Sequence, residues 1–311
     1  MYCIEPEPVF YGSTRTIAAA VLIALGVLSI GLQSLFIVAI YKMAGWESNF
    51  SFTLLICMSL CSLLRFVNGI LCHVIALTYL DFCTNHHIFT ALGSIDLSVY
   101  FTVILITVLM TAHRMVYTLF ATRASTLLPP ILMKGVLVFI CLFIIALLIV
   151  THPNDVHYHY VPNLLSYDDL AESTWEILRL AKKITNYTLG VSNLIAYSII
   201  FGYLYWRHSL SFSRNNELRM TVQITLFVII EIIYFVYWEF IETKVMTVAG
   251  LLTRTIINMA FYDSIILPYL LINKRIQQRM VEVICGRANT KCPSQSVYID
   301  RLFIKPSAGK S

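Results

Sequence analysis

The sequence predicts an all-α membrane protein, a seven-transmembrane-helix bundle followed by a short amphipathic helix on the inner leaflet. Three observations carry this. Of 311 residues, 58% are hydrophobic and 13% charged, against the roughly 25% charge of a soluble domain, and the mean hydropathy is +0.76. Seven stretches hold the roughly 20 apolar residues needed to cross about 30 Å of hydrocarbon. Most Lys and Arg fall on one side of those stretches, as residues retained in the cytoplasm do. The 12 Gly and 9 Pro are scattered, unlike a collagen-like chain. A net charge of +5 is too modest for a nucleic-acid partner.

The chain opens with a tail, 1–15, that is acidic in MYCIEPEPVFYG. The first apolar stretch, Thr16–Tyr41, is too long for a removable leader and lacks its small-residue cleavage site, so it is expected to stay as a signal anchor. The other spans are predicted at Phe52–Leu80, Ile88–Tyr117, Ile131–Thr151, Ile184–Trp206, Leu218–Ile241 and Ala249–Ile272. These lengths suit tilted helices, whereas barrel strands are about 10 residues and alternate. With the N-terminus outside, fifteen of the 22 Lys and Arg lie inside. Arg15, Arg179, Lys182, Lys183 and Lys244 lie outside, and Arg65 and Arg254 lie within spans. A multi-pass plasma-membrane protein with a cytoplasmic C-terminus follows.

The longest outer connection, His152–Lys183, carries Asp155, Asp168, Asp169, Glu172 and Glu176 and is read as a lid over the mouth. The inner connections, Thr118–Pro130 and Arg207–Glu217, leave no room for a catalytic domain. After span seven, 273–286 spaces Ile276, Met280, Val283 and Ile284 on one face and Lys274, Arg275, Gln278 and Arg279 largely on the other. That pattern suits a basic helix lying on a lipid surface. A cytoplasmic tail, 287–311, completes the chain.

Ionisable groups in hydrocarbon cost about 2.5–3.5 kcal/mol each on insertion scales, so each needs a reason. Five stand out: Arg65, Asp96, Glu231, Arg254 and Asp263. Arg65, Glu231 and Asp263 lie near the middle of their spans and are expected to form a charge network, with Arg65 paired to one of the two acids. Arg254, nearer the outer end, is expected to snorkel to water or headgroups. Asp96 lies in the outer third of span three, and Arg114 follows five helical turns later on the same side. Such a helix can sense a ligand at one end and meet a partner at the other.

The triplet His113-Arg114-Met115 closing span three, together with seven spans and the basic helix, resembles the rhodopsin-like G-protein-coupled receptors. The closer resemblance is to the nematode serpentine chemoreceptors. The run Ile266-Leu267-Pro268-Tyr269-Leu270-Leu271-Ile272-Asn273-Lys274 resembles their IIYLxxNK ending, and Ile233–Phe240 looks like the YVYMQF run of the class T group. The resemblance implies a chemosensory receptor in the plasma membrane or sensory cilia, with a small-molecule ligand and a heterotrimeric G protein as partners. It implies no enzyme activity, cofactor or metal. Departures are also visible. Ile265-Ile266 stand where Asn-Pro is usual, Gln33 replaces the span-one Asn, and the long outer loop has no cysteine for the usual bridge.

Asp96 is the main ligand-pocket candidate, with Tyr237 and Glu239 nearer the mouth. His113 and Arg114, assisted by Arg207, Arg214, Arg219 and Lys274, are the candidates for G-protein coupling. Of eight cysteines, Cys3 and Cys83 are the clearly extracellular ones and are expected to pair. Cys285 is a palmitoylation candidate, and Asn186 in Asn-Tyr-Thr is a glycosylation candidate. His152, His157 and His159 are read as a solvated loop rather than a metal site. The rival reading is a small transporter whose relay is Arg65, Glu231 and Asp263, against which stand the odd span count and the missing internal repeat.

Overall fold

The computed structural model describes residues 8–43, 50–120, 122–152, 158–169, 172–206, 216–238 and 247–285. Helix α1 (Gly12–Tyr41) lies against α2 (Phe50–Leu77), which packs on α3 (His86–Leu119). A one-turn helix α4 (Ala124–Leu127) leads to α5 (Pro130–Thr151). Pro130 opens α5 where a missing N–H costs nothing. Among the described residues, α1, α2, α3 and α5 are each long and apolar enough to cross a bilayer. Helix α5 makes the reason plain: Ile140 and Thr151 are its buried residues, while Ile131, Phe139, Leu142 and Ile149 are more than half exposed. An apolar surface of that kind needs hydrocarbon, not water, around it.

Three further helical segments follow. Helix α6 (Glu172–Trp206) starts well before the expected Ile184, so the span projects beyond its apolar part. Helix α7 (Asn216–Val236) ends in a π-helical turn at Tyr237–Trp238. The seventh stretch, expected as one helix, is two: α8 (Val248–Ser264), capped by Thr247 accepting from the Gly250 N–H at 3.1 Å, and α9 (Leu267–Ile272). Pro268 explains the break, since it lacks an N–H and its ring collides with the carbonyl four residues back. Helix α10 (Lys274–Cys285) then turns back on α1, burying Ile276.

The outer connection folds into a hairpin, which the sequence reading missed. Strands β1 (Tyr158–Val161) and β2 (Ser166–Asp169) pair antiparallel, with Tyr160 opposite Tyr167 and Val161 opposite Ser166. Alternation sends the Tyr158 and Tyr160 hydroxyls to Asp96 and His73, and His159 to the other face. His159 is 1% exposed, so the solvated-loop expectation is corrected here. It bonds Thr90 at 3.1 Å, and its ring lies 4.5 Å from that of His86.

The hairpin is seated by close contacts. Gly93 of α3 lies so near β1 that an added Cβ would overlap the Tyr158 carbonyl. At the tip, the Asn163 carbonyl accepts from the N–H groups of Val9 and Phe10, and its side chain accepts from Arg15 at 3.0 Å. Val161, Leu164 and Leu165 join Phe10, Leu22, Phe82 and Phe89 in an apolar cluster at this end of the bundle. A second cluster, with Phe36, Leu54, Val103, Tyr262 and Tyr269 at its centre, fills the bundle toward α10.

Candidate functional site

Between the hairpin and the helices lies a cavity of about 80 Å³. Its walls are Leu22 and Gly26 of α1, Phe66, Gly69 and Ile70 of α2, Trp238, and Thr255 and Met259 of α8. Its roof is Tyr158, Tyr160, Leu165, Ser166 and Tyr167. Arg65, His73, Asp96, Arg254 and Asn258 bring the remaining polar groups.

Arg65 and Asp96 form an ion pair between α2 and α3. The acid on Arg65 is thus Asp96, where Glu231 or Asp263 was expected. Asp263 instead accepts from Ser29 at 2.6 Å and from Gln33 at 3.4 Å, both on α1. Gln33 also donates to the Tyr262 carbonyl at 3.1 Å. The side chain of Glu231 lies outside the described residues. Among the described residues, Arg65 and Asp263 each bond a different neighbouring helix, α3 and α1.

Both charges of the pair are buried, Asp96 at 3% exposure and Arg65 at 9%. The guanidinium also lies 4.6 Å from the Tyr262 ring centroid and 6.0 Å from that of Tyr167, within cation–π range. Tyr158 donates to the second Asp96 oxygen at 3.1 Å. Tyr158 in turn stacks on Tyr167 at 5.8 Å and 11° and receives the Lys182 ammonium at 4.1 Å. The Tyr167 hydroxyl accepts from Asn68 at 2.8 Å and bonds the Cys72 thiol. Tyr160 bonds His73 Nδ1 at 3.0 Å. Burial, first of all, pushes the phenol pKa values of Tyr160 and Tyr167 well above the ordinary 10.0, since the charged phenolate loses its water.

Arg254, expected to snorkel, lines the cavity with its guanidinium 5.1 Å from the Trp238 ring. Three buried polar atoms of lining residues have no hydrogen-bond partner among the described residues: Ser166 Oγ, Trp238 Nε1 and Asp96 Oδ1, of which the last is held in the ion pair with Arg65. Tyr237 packs edge-on to Trp238 and is not a lining residue. Glu239 lies outside the described residues.

At the opposite end of α3, His113 is 8% exposed and bonds Ser51 of α2 at 3.2 Å. Its ring lies between those of Phe50 and Tyr117, at 5.4 and 4.5 Å. Arg114, half-buried, is close enough to Tyr269 of α9 to act on it electrostatically. The Tyr269 hydroxyl donates to Met110 Sδ at 3.7 Å. Tyr269 thus reaches α3 at Met110, about one turn before Arg114. Arg207, Arg214 and the side chain of Arg219 lie outside the described residues, and Lys274 is exposed on α10.

Cys83 is disulfide-bonded, whereas Cys57, Cys61, Cys72, Cys141 and Cys285 are free. Cys3 lies outside the described residues. Asn186, expected as an outward-facing acceptor for a sugar, sits within α6 and accepts from Tyr100 of α3 at 2.5 Å. Among the described residues no group of three His, Cys, Asp or Glu is placed to hold a metal ion.

Sequence reasoning missed Trp238, Ser166, His73 and the hairpin tyrosines as lining residues. Their signal was present as aromatic alternation in Tyr158-His159-Tyr160 and again at Tyr167, a strand pattern inside what reads as a loop.

No curated protein matches the chain. The family model described as serpentine type 7TM GPCR chemoreceptor Srt matches residues 2–292. That match covers the cavity, the hairpin, the Arg114 end of α3 and all of α10, and it bears out the resemblance read from His113-Arg114-Met115 and the Tyr269 run. The chain therefore belongs to the Srt family of serpentine seven-transmembrane chemoreceptors, a family of multi-pass membrane receptors rather than enzymes.

Proposed function

We propose that this receptor binds a small molecule from the extracellular side, in the cavity under the hairpin, and signals to a heterotrimeric G protein at the α10 end. Ligand favours one of two packings of the bundle, and the population shift is the signal. The observation that carries the reading is the arrangement of α3. One end supplies Asp96 to the covered cavity, and the other carries Arg114 one turn past Met110, which Tyr269 of α9 contacts. Arg114 and His113 serve the G-protein surface, with Arg207, Arg214, Arg219 and Lys274 as its basic edge. Tyr237 and Glu239 sit by the mouth.

In the same reading the receptor stands in the plasma membrane or sensory cilia, N-terminus out and C-terminus in. Segments 1–15, 16–272, 273–286 and 287–311 are tail, bundle, amphipathic helix and cytoplasmic tail. Helix α10 lies on the inner leaflet. Its exposed Lys274, Arg275 and Arg279 suit anionic headgroups, its Val281 and Ile284 are 58% and 68% exposed, and its exposed free Cys285 is open to palmitoylation. The partner of Cys83 is Cys3, the other cysteine expected outside. A Cys3–Cys83 peptide in non-reducing mass spectrometry supports that pairing, and alkylation of Cys3 without reduction refutes it.

Two variants test the function. Gly69 lines the cavity and has open space where a Cβ would stand, so Gly69→Leu fills the cavity without a backbone clash. It should abolish ligand-dependent G-protein activation at unchanged surface expression. Arg114→Ala should abolish activation while ligand binding persists. Full activation in either variant refutes the corresponding half of the reading.

A further inference from the structure

We infer that the cavity selects a compact organic molecule presenting a hydrogen-bond-accepting oxygen, a carbonyl or carboxylate, and excludes amines. The inference rests on the reading of this cavity as the ligand site and adds the chemistry of its occupant.

The acceptors around the cavity are engaged. Asp96 is held by Arg65 through one oxygen and by the Tyr158 hydroxyl through the other. The Tyr167 hydroxyl accepts from Asn68, the Tyr160 hydroxyl is matched to His73, and Asn258 Oδ1 accepts from Tyr234 at 2.9 Å. The Thr255 hydroxyl donates to the Leu251 carbonyl of its own helix, which leaves it only as a weak neutral acceptor. Asn68 Oδ1, which lacks a partner, belongs to a residue that does not line the cavity.

Two donor-capable groups are left without a partner among the described residues, and a cation stands beside one of them. The Trp238 indole N–H is buried without a partner, and an indole nitrogen only donates. The Ser166 hydroxyl, which can donate or accept, is also buried without a partner on the hairpin side, its residue 6% exposed. The guanidinium of Arg254, a donor without acceptor capacity, lies over the Trp238 ring. Asp96, the group that draws the eye as a counter-ion for an ammonium ligand, already has its cation in Arg65. An amine entering here would meet two guanidinium groups. An accepting oxygen would instead satisfy the groups left unmet, and a site built with such donors rejects analogues that lack the acceptor.

Size narrows the class further. At roughly 10–15 Å³ per water-sized occupant, a cavity of about 80 Å³ takes a molecule of a few carbons. Its walls, Leu22, Phe66, Ile70 and Met259, suit an alkyl body.

The test uses the full-length receptor in lipid nanodiscs with four six-carbon photoreactive diazirine probes of one skeleton: a methyl ketone, a carboxylate, a primary amine and the plain alkane. Labelled peptides are mapped by mass spectrometry. The ketone or the carboxylate is expected to label α2, the hairpin or α8 at least tenfold above the amine and the alkane. Trp238→Phe, which removes the N–H and keeps the ring, and Ser166→Ala should each weaken that labelling about three- to tenfold, the worth of one hydrogen bond, with the melting temperature unchanged. The inference is overturned if the amine or alkane labels the cavity as well as the acceptors do. It is overturned equally if both variants leave acceptor labelling unchanged, or if no probe labels the cavity. Equal cavity labelling by all four removes the acceptor preference alone, whereas saturable labelling confined to another site removes the cavity as the ligand site.

Discussion

The buried ion pair gives the sharpest quantitative expectation. Asp96→Asn keeps the shape of the side chain and an oxygen for the Tyr158 hydroxyl, but leaves the Arg65 guanidinium without its counter-charge. With Asp96 at 3% and Arg65 at 9% exposure, solvent does little to compensate, and removing one partner of such a pair costs about 3–5 kcal/mol. With about 2.1 cal/mol/K of unfolding entropy per residue over 311 residues, that lowers the melting temperature by about 5–8 °C. The double replacement Arg65→Met with Asp96→Leu removes both charges and fills similar volume, which is often neutral or stabilising by about 1–4 kcal/mol. It should therefore recover most of the loss. Unfolding is followed with a thiol-reactive fluorophore, since Cys61 and Cys72 are free and buried while Cys141 and Cys285, exposed, are first replaced by serine. The reasoning is refuted if Asp96→Asn costs under about 1 kcal/mol, or if the double variant is no more stable than the single one.

Two further expectations concern the hairpin. Gly93→Ala drives a methyl into the Tyr158 carbonyl, so strand β1 must lift; hydrogen exchange over 158–169 should rise while α1 and α2 stay protected, and unchanged exchange there would contradict the close approach. Tyr160 and Tyr167 have folded pKa values raised above the ordinary 10.0. Raised values mean that their contribution is complete below pH 10 and fades as pH climbs beyond it. Absorbance at 295 nm, differenced against Tyr160→Phe and Tyr167→Phe, should show both phenols ionising late and together with loss of the hairpin. An ordinary midpoint near 10 for both would rule this out.

How far the sequence reaches can be judged residue by residue. Helices α1, α2, α3 and α5 were legible because apolar length alone decides them, and the Arg114 and Tyr269 motifs were legible because they are local. The partner of Arg65 was not. Helix α3 is apolar nearly all round, so its periodicity leaves its rotation open, and one rotation brings Asp96 rather than Asp263 to Arg65. Arg254 was misplaced for a related reason. Its depth allows snorkelling, and its engagement with Trp238 depends on how α8 is turned toward α7. The hairpin was hidden by its brevity, since four-residue strands with buried histidine and serine look like loop until the roof they form is seen. Pro268 was noticed in sequence, but that it divides the seventh stretch after Ser264 required the backbone.

The fastening of the hairpin has a consequence for time. Residues 158–169 contain no cysteine, so the roof is held by hydrogen bonds and ring contacts that break and reform thermally. If the cavity is the ligand site proposed above, the opening of these contacts contributes to how fast an occupant leaves and so to how long a response lasts. The contact of Asn163 with Arg15, Val9 and Phe10 fastens the tip of that roof. Weakening it would shorten the memory of each encounter while leaving the choice of molecule untouched.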